Sequence, residues 1–203
     1  MPLETFSSPH SLQGYDEELF PVADLPIGKI AAAICYDWIF PEPFREFAFK
    51  GAEVMVRASA YMHPFTTEEP MNWWTAVAKV RALENVCYGV HVNQGAALRD
   101  FPPYSWPGGT CIVDYQGRVL SQICESGEHI VYGTIDLANL REWRAKTYTQ
   151  LMPAHLRTVA YTYVKRPIFP AATFRPDEEV TMQRIKELID EARKKVYGEN
   201  LPG

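Results

Sequence analysis

The residue with the clearest chemical potential in this sequence is Cys35, which ends a short and continuously apolar run. Residues 30–35 form that run after Gly28, and such a run is typical of a strand buried on both faces. Pro41 and Pro43 then open a short helical segment. Open α/β folds place reactive groups just beyond the carboxyl ends of their strands, where a helix amino terminus also stabilises an anion. These features make Cys35 a candidate nucleophile.

A cysteine in this position needs more than a helix terminus to react. The thiolate is the nucleophile, and ordinary thiols are mostly protonated at pH 7. A hundredfold increase in the thiolate fraction requires about 2.7 kcal/mol, whereas a helix terminus supplies about 0.3–1 kcal/mol. A neighbouring base or cation is therefore required. Position alone leaves a buried structural cysteine as the alternative interpretation.

Strand-like and helix-like segments alternate around Cys35, and this order predicts an open α/β sheet. The first 26 residues are rich in proline and are expected to form a long loop. His91, on one of the predicted strands, is expected to be a hydrogen-bonded core side chain. The further expected strands are 53–58, 87–92, a hairpin of 110–114 and 118–123, and 130–135. The expected helices are a short one with Pro41 and Pro43 in its first turn and Gly51 past its end, and three others at 71–85, 137–144 and 177–197.

The composition argues against several classes of protein. The chain has 203 residues, of which 47% are hydrophobic and 13% aromatic, so a packed core is expected. A net charge of −5 gives no basic surface for nucleic acid, and no apolar run approaches the roughly 20 residues that cross a bilayer. The four cysteines are too few and too scattered for a disulfide framework, and no CxxC, HxxxH or HExxH pattern occurs. We therefore expect a cytoplasmic protein with no metal site, no nucleic-acid partner and no membrane partner.

A longer set of residues around Cys35 resembles the nitrilase superfamily of carbon–nitrogen hydrolases. The similarity is ordered along residues 26–145 and looks closest to the aliphatic amidase and formamidase branch. Matches at so many positions are far more specific than a Cys-Tyr-Asp tripeptide alone. They comprise Gly28-Lys29-Ile30, Ile34-Cys35-Tyr36-Asp37, Phe40-Pro41-Glu42, Arg45, residues 50–53, Arg57, Tyr61-Met62-His63-Pro64, residues 81–85, Tyr88, Asn93, Asp114 and Gly117-Arg118.

The resemblance implies a fold, a reaction and a set of site residues. The family fold is an αββα sandwich, in which two sheets pack face to face beneath outer helices. Family members hydrolyse small amides or nitriles through a thioester on the cysteine, without a metal or an organic cofactor. Cys35 is then the nucleophile and the main-chain N–H of Tyr36 an oxyanion donor, while Tyr61 and Met62 line the substrate pocket.

The family's catalytic Glu and Lys both precede the cysteine, and the sequence offers no clear match for either. Lys29 is the only lysine before Cys35, and it lies on the strand as an ordinary polar residue. Glu4 is a candidate for the family's supporting carboxylate, and Glu84 is a weaker candidate for a replacement base. We expect the Glu and Lys to lie before Met1. This predicts that the amino-terminal part of the domain is missing, that the chain alone is inactive, and that an apolar sheet face is exposed.

Three functions stay open for this sequence. The leading one is a hydrolase of small amides; the others are a pseudoenzyme or assembly subunit with the same fold, and a nitrile-directed enzyme. Residues 1–146 are expected to form the hydrolase domain. Residues 147–203 are expected to form a tail whose helix covers a core edge or packs against a partner subunit. Members of the family commonly form dimers and higher oligomers, so the resemblance implies a homo-oligomer or a partner that supplies the missing part.

Overall fold

The computed structural model describes residues 20–61, 73–95, 106, 108–123, 127–161 and 181–198. The chain divides into two compact units: residues 20–156 form the larger, and residues 157–203 group with residues 1–19 in the smaller. The larger unit contains Cys35. The domain boundary expected between residues 146 and 147 stays a prediction.

The larger unit is built on a six-stranded sheet whose strands lie in the order in which they occur along the chain. The strands are β1 (Ala23–Leu25), β2 (Gly28–Ile34), β3 (Val54–Ser59), β4 (Tyr88–Asn93), β5 (Cys111–Val113) and β6 (Val119–Gln122). The central strands β2, β3 and β4 are parallel, and the outer pairs are antiparallel. The carboxyl ends of the parallel strands therefore meet at one edge, where Ile34, Ala58 and Val92 stand side by side.

Helices fill the connections between the parallel strands. A 3-10 helix (Cys35–Ile39) and α1 (Glu42–Phe49) follow β2, and α2 (Trp73–Asn85) precedes β4. After β6 come α3 (Leu137–Lys146) and the single-turn α4 (Met152–His155). The smaller unit contains a second 3-10 helix (Thr158–Ala160) and α5 (Met182–Tyr197). Within the described ranges, no helix is both long and apolar enough to cross a bilayer.

One face of the sheet is packed against α1 and the first 3-10 helix. Ala31 and Ala33 of β2 are small, and they leave room for large aromatic rings. Trp38, Phe44 and Phe47 fill that room, and each is at most 3% exposed. Complete burial of a side chain of this size contributes about 2–3 kcal/mol. The alternation of small strand residues with large helix residues therefore anchors the connection that follows Cys35.

Among the described residues, the opposite face is packed mainly near the amino ends of the strands. Val54 and Tyr88 pack there in one cluster with Leu140 of α3. Toward the carboxyl ends, Ile34 is 66% and Val92 48% exposed. Part of this apolar face is thus exposed. We name this surface the open sheet face; it consists of Ala32, Ile34, Ala58 and Val92, all of them exposed.

The structure differs from the sequence-based prediction at two places. Residues 130–135 form neither strand nor helix, and Ile130 and Tyr132 are 70% and 79% exposed. Their alternating apolar pattern suits a strand, but a strand also needs a hydrogen-bonded neighbour, and none pairs with them among the described residues. The second difference is β1, which lies in the predicted loop and pairs with β2 across the turn at residues 26–27. Three residues are too few to show a pattern.

Candidate active site

Cys35 lies where β2 ends and the first 3-10 helix begins. Its side chain is half-buried, at the edge where the parallel strands end. Its φ of +47° falls in the left-handed region, which costs a residue other than glycine about 1–2 kcal/mol. Strain of this kind persists only where the surroundings enforce it, and it clusters at functional sites. The backbone therefore forms a sharp strand-to-helix turn that carries the thiol.

Side chains of the 3-10 helix hold the strand that leads into this turn. The carboxylate of Asp37 accepts a hydrogen bond from the N–H of Ile34 at 3.0 Å. The indole N–H of Trp38 donates to the carbonyl of Ala33 at 3.1 Å. Burial raises the pKa of Asp37, and the hydrogen bond from Ile34 opposes this rise. The two residues before Cys35 are thus tied to the two residues that follow Tyr36.

The side chain of Arg57, on β3, contacts the same turn. Its Nη2 donates to the carbonyl of Cys35 at 3.1 Å. The side chain is fully buried, and its guanidinium lies 3.7 Å from the ring centroid of Trp74 on α2. Burial lowers the pKa of Arg57 to about 10, so the group remains a cation at pH 7. A buried positive charge therefore lies within hydrogen-bonding distance of the main chain of the predicted nucleophile.

Arg81 of α2 fixes the other end of the 3-10 helix. Its Nε donates to the carbonyl of Trp38 at 3.2 Å, and its Nη2 donates to the carbonyl of Ile39 at 2.8 Å. The remaining Nη1 donates to Glu84 at 2.8 Å. Glu84 also lies 3.9 Å from Arg45. Because arginines already occupy its carboxylate, the structure gives no support to Glu84 as a replacement base.

Tyr61, predicted to line the pocket, lies just past β3 at the same sheet edge. Its main-chain N–H donates to Oδ1 of Asn93, the last residue of β4, at 2.7 Å. The Nδ2 of Asn93 donates in turn to the carbonyl of Gly108 at 2.8 Å. The Tyr61 ring stacks on Trp74 with centroids 5.6 Å apart. An amide side chain and an indole therefore hold Tyr61 beside the ends of β3 and β4.

Tyr36, whose N–H is the predicted oxyanion donor, is the second residue of the 3-10 helix. The first N–H groups of a helix have no acceptor within the helix, so this donor is free of intrahelical bonding. The Tyr36 side chain is 46% exposed and packs edge-on against Phe40. The prediction concerns only the main chain, which the turn presents beside the thiol of Cys35.

The described residues bring no base to the thiol of Cys35. Lys29 lies at the opposite end of β2, about 20 Å away for six residues of strand, and its amine is 3.8 Å from Asp24. Glu4 and Met62, predicted as supporting carboxylate and pocket residue, lie outside the described residues. No group of three His, Cys, Asp or Glu side chains in the described ranges could hold a metal ion.

His91 differs from its prediction as a hydrogen-bonded core residue. It is fully buried, but neither ring nitrogen has a hydrogen-bond partner among the described residues. Burial and the nearby Arg57 lower the pKa of His91 to about 3, so the ring is neutral at pH 7. It packs edge-on against Trp38 at 4.5 Å. A Cβ at Gly89 would lie 2.4 Å from its Nε2, so only glycine fits there.

Arg57 and Arg81 were among the positions that resemble the nitrilase superfamily, but neither was predicted to have a role in the site. A signal was available for Arg57, because a charged residue inside an apolar strand is costly unless it is paired or functional. Its alternation with Met55 places it on the packed face. Arg81 gave no comparable signal, since a charged residue on a helix is usually solvated.

Residues 1–145 match the family described as carbon–nitrogen hydrolase. The chain belongs to this family. It is 30% identical over 140 residues to a probable nitrilase of Schizosaccharomyces pombe, which covers 69% of this chain and 47% of the relative. It is 31% identical over 137 residues to the deaminated glutathione amidase of Rattus norvegicus, with coverages of 68% and 39%.

A solved structure agrees with the sequence relatives. The Caenorhabditis elegans NitFhit protein superposes with a TM-score of 0.58 at 31% identity, over 70% of this chain and 32% of that one. This confirms the α/β nitrilase fold. The chain spans a third to a half of the length of these relatives. Their names refer to nitrilases and to a deaminated glutathione amidase, so the aliphatic amidase and formamidase branch stays a prediction.

Proposed function

We propose that this chain carries the nucleophile of an enzyme that hydrolyses small amides through a thioester on Cys35. The observation that supports this most is the strained turn at Cys35, with φ of +47°, at the edge where three parallel strands end. Membership of the carbon–nitrogen hydrolase family supports the reaction class.

The reaction proceeds in two halves. The thiolate sulfur of Cys35 attacks the amide carbon, and the carbonyl π electrons move to oxygen. The N–H of Tyr36 donates to this oxyanion, an interaction worth about 3 kcal/mol in comparable sites. The C–N bond then breaks, and the nitrogen takes a proton and leaves as ammonia. Water attacks the resulting thioester, which releases the carboxylic acid and restores the thiol.

Both halves need a base, since the thiol and the attacking water each lose a proton. The thiol of Cys35 has no base partner among the described residues. The family's Glu and Lys, expected before Met1, are the proposed source, and Glu4 is the proposed supporting carboxylate. We therefore expect the 203-residue polypeptide alone to release no ammonia above background.

Short aliphatic amides are the proposed substrates, because the sequence resembles the aliphatic amidase and formamidase branch. Tyr61 and Met62 are proposed to line the pocket, and the position of Tyr61 beside the strand ends supports its part in this. One relative is a deaminated glutathione amidase, so deaminated glutathione is the second substrate to test. No cofactor is proposed. Oligomerisation, or a partner chain that supplies the base, is part of the same proposal.

The test compares the 203-residue chain with a form extended by any in-frame codons that precede Met1 in its gene. Ammonia release is measured with formamide, acetamide and deaminated glutathione, and intact mass spectrometry detects an acyl group on Cys35. We expect turnover and acylation only in the extended form, and a loss of at least a thousandfold in Cys35→Ala. Cys87→Ala is the matched control, because Cys87 is buried away from the turn.

Other outcomes would favour the alternatives. Turnover that survives Cys35→Ala would remove Cys35 from the mechanism. An extended, folded protein that is never acylated would support a pseudoenzyme or an assembly subunit. Ammonia from acetonitrile but not from acetamide would indicate a nitrile-directed enzyme.

A further inference from the structure

Arg57 is an unusually isolated buried cation. It is fully buried, and its guanidinium donates a hydrogen bond to the carbonyl of Cys35 at 3.1 Å. Its Nε and Nη1 have no acceptor among the described residues. The guanidinium is otherwise surrounded by aromatic rings, with Trp74 closest at 3.7 Å. A buried charge without a counter-ion is unfavourable, so its place beneath Cys35 calls for an explanation.

No carboxylate within the described part of the chain balances this charge. The described groups near Arg57 that can carry a negative charge are Cys35, Cys111 and Tyr61. Cys111 is fully buried, whereas Cys35 is half-buried at the sheet edge. The anion best placed to balance Arg57 is therefore the thiolate of Cys35 itself.

The hydrogen bond to Cys35 has a second effect, which follows from the planarity of the peptide. In a trans peptide the C=O and the next N–H point in opposite directions within one plane. A donor that fixes the carbonyl of Cys35 therefore also fixes the direction of the N–H of Tyr36. Donation to the carbonyl polarises the peptide as well, which strengthens its N–H as a donor.

We propose that Arg57 is a positioning residue for the hydrolysis. It holds the peptide between Cys35 and Tyr36 so that the N–H of Tyr36 faces the oxyanion, and its charge stabilises the thiolate. This inference rests on the roles proposed above for Cys35 and Tyr36. Because its side chain is fully buried, Arg57 is assigned no contact with the substrate.

Other groups near the turn carry charge or titrate, and two of them, His91 and Arg81, interact electrostatically with Arg57. Asp37 contacts Ile34, Arg81 contacts the far end of the 3-10 helix, and His91 is neutral in the core. All three are retained in every variant of the test. Differences between the variants therefore report on the residue at position 57.

The test measures the rate at which iodoacetamide alkylates Cys35 in the full chain, from pH 5 to pH 10, by peptide mass spectrometry. Arg57→Met removes the charge and the donor, Arg57→Lys keeps the charge, and Arg57→Gln keeps a donor. Protection of the buried Cys87 and Cys111 in the same digest shows that each variant is folded.

Arg144→Met is the matched control. Arg144 is also an arginine that donates to main-chain carbonyls, those of Ala52 and Val86, but it lies at the opposite end of the sheet. Its loss is expected to lower the unfolding temperature and to leave the alkylation of Cys35 within twofold of the wild type.

For Arg57→Met we expect alkylation at pH 7 to slow at least tenfold and the midpoint of the rate profile to move to higher pH by at least one unit. Arg57→Lys should restore the rate to within about threefold. A folded Arg57→Met variant that reacts at the wild-type rate would overturn the proposal. If Arg57→Met unfolds, the alkylation rates of Arg57→Gln and Arg57→Lys are compared instead. Alkylation that is tenfold slower in Arg57→Gln than in Arg57→Lys supports the role of the charge, and equal rates in the two variants refute it.

Turnover by the extended protein separates this inference from the proposed function. Arg57→Met should lower kcat at least tenfold while KM stays within twofold, because no substrate contact is removed. Turnover that survives Cys35→Ala would instead refute the proposed function itself. Loss of turnover in Cys35→Ala with normal kcat in Arg57→Met would refute only the role of Arg57.

Discussion

Arginine side chains hold several of the sharp turns in this chain by donating to main-chain carbonyls. Arg57 binds the carbonyl of Cys35, Arg81 those at the end of the 3-10 helix, and Arg144 those of Ala52 and Val86. Helix ends leave carbonyls without partners, and the guanidinium offers five donors in a rigid plane. One arginine can therefore satisfy two chain ends at once, which a lysine would do with less geometric definition.

At the amino end of β3, an arginine binds a side-chain carboxylate, that of Glu53, instead of a main-chain carbonyl. Its buried carboxylate accepts hydrogen bonds from Arg141 Nε at 2.6 Å and from the N–H of Lys29 at 2.9 Å. The hydrogen bond from Arg141 is the main cause that lowers the pKa of Glu53 to about 2. The unfolded chain binds this proton near pH 4.5, so the unfolded state gains protons first on acidification.

The free energy of unfolding should therefore fall as pH drops from about 4.5 to 2. Glu53→Gln should make the free energy of unfolding less dependent on pH in this range. Thermal unfolding of both proteins across that range measures the difference. Asp24→Asn is the control, because Asp24 is 77% exposed in its contact with Lys29 and such pairs contribute little. Parallel profiles for the wild type and Glu53→Gln would contradict the assigned role of Glu53.

At the scale of elements, the sequence predicted the segments whose patterns are strong and local. The strands around residues 28–34, 54–59 and 88–93 are apolar runs bounded by turn residues, and all three occur within about two residues of expectation. The 137–144 helix extends to Lys146, and the 177–197 helix is described from Met182. The strand predicted at residues 130–135 was wrong, because a strand depends on hydrogen bonds to a neighbouring strand and a local pattern contains no information about that neighbour.

The site was predictable only in part, for a similar reason. Cys35 could be located because it ends an apolar run and its neighbours resemble a known family. The contacts of Arg57 and Arg81 with the turn span 22 and 43 residues of sequence. Such contacts depend on strand register and helix packing, which no local spacing encodes.

Val86 illustrates how a helix end can override residue preference. It follows α2 with φ of +51°, a conformation that β-branched residues rarely adopt. The N–H of Cys87 bonds to the carbonyl of Ala82, and the N–H of Val86 to that of Leu83, which is the usual pattern of a glycine-terminated helix. The side chain of Val86 is 1% exposed in the cluster with Tyr88, and this burial offsets the backbone strain.

The strained backbone at Val86 predicts that glycine is less destabilising than alanine at this position. Val86→Ala loses buried methyl groups and keeps the backbone strain, so unfolding free energy should fall by about 1–3 kcal/mol. Val86→Gly loses slightly more surface but relieves the strain, and should be about 1 kcal/mol more stable than Val86→Ala. Urea denaturation measures both. In an ordinary helix alanine would be the more stable, and that order here would contradict the strain at Val86.

At the scale of the whole molecule, the open sheet face places Ile34 and Val92, which are 66% and 48% exposed, side by side with two alanines. Contiguous apolar surface of this kind is uncommon on soluble monomers and marks a site of contact. The chain spans 47% of the length of its Schizosaccharomyces pombe relative, so the relatives have further sequence with no counterpart here. We expect the 203-residue chain to associate through this face.

Ile34→Lys should weaken that association, because it places a charge in the middle of the open sheet face. Ile27→Lys is the matched control, since Ile27 is 72% exposed in the turn between β1 and β2, against 66% for Ile34. Sedimentation velocity over a range of concentrations measures the effect, with a shift toward the monomer expected for Ile34→Lys only. An equal shift in both variants would place the contact elsewhere.

The sequential order of the strands has a consequence for the way the chain folds. Each strand pairs with the strand that precedes it along the chain, from β1 to β6. A pairing with the preceding strand closes a shorter loop than a pairing with a more distant strand would, which lowers its entropic cost. During synthesis the sheet can grow strand by strand from the amino-terminal side. The turn at Cys35 and the arginine beneath it can thus assemble once α2 has emerged, before the hairpin of β5 and β6 exists.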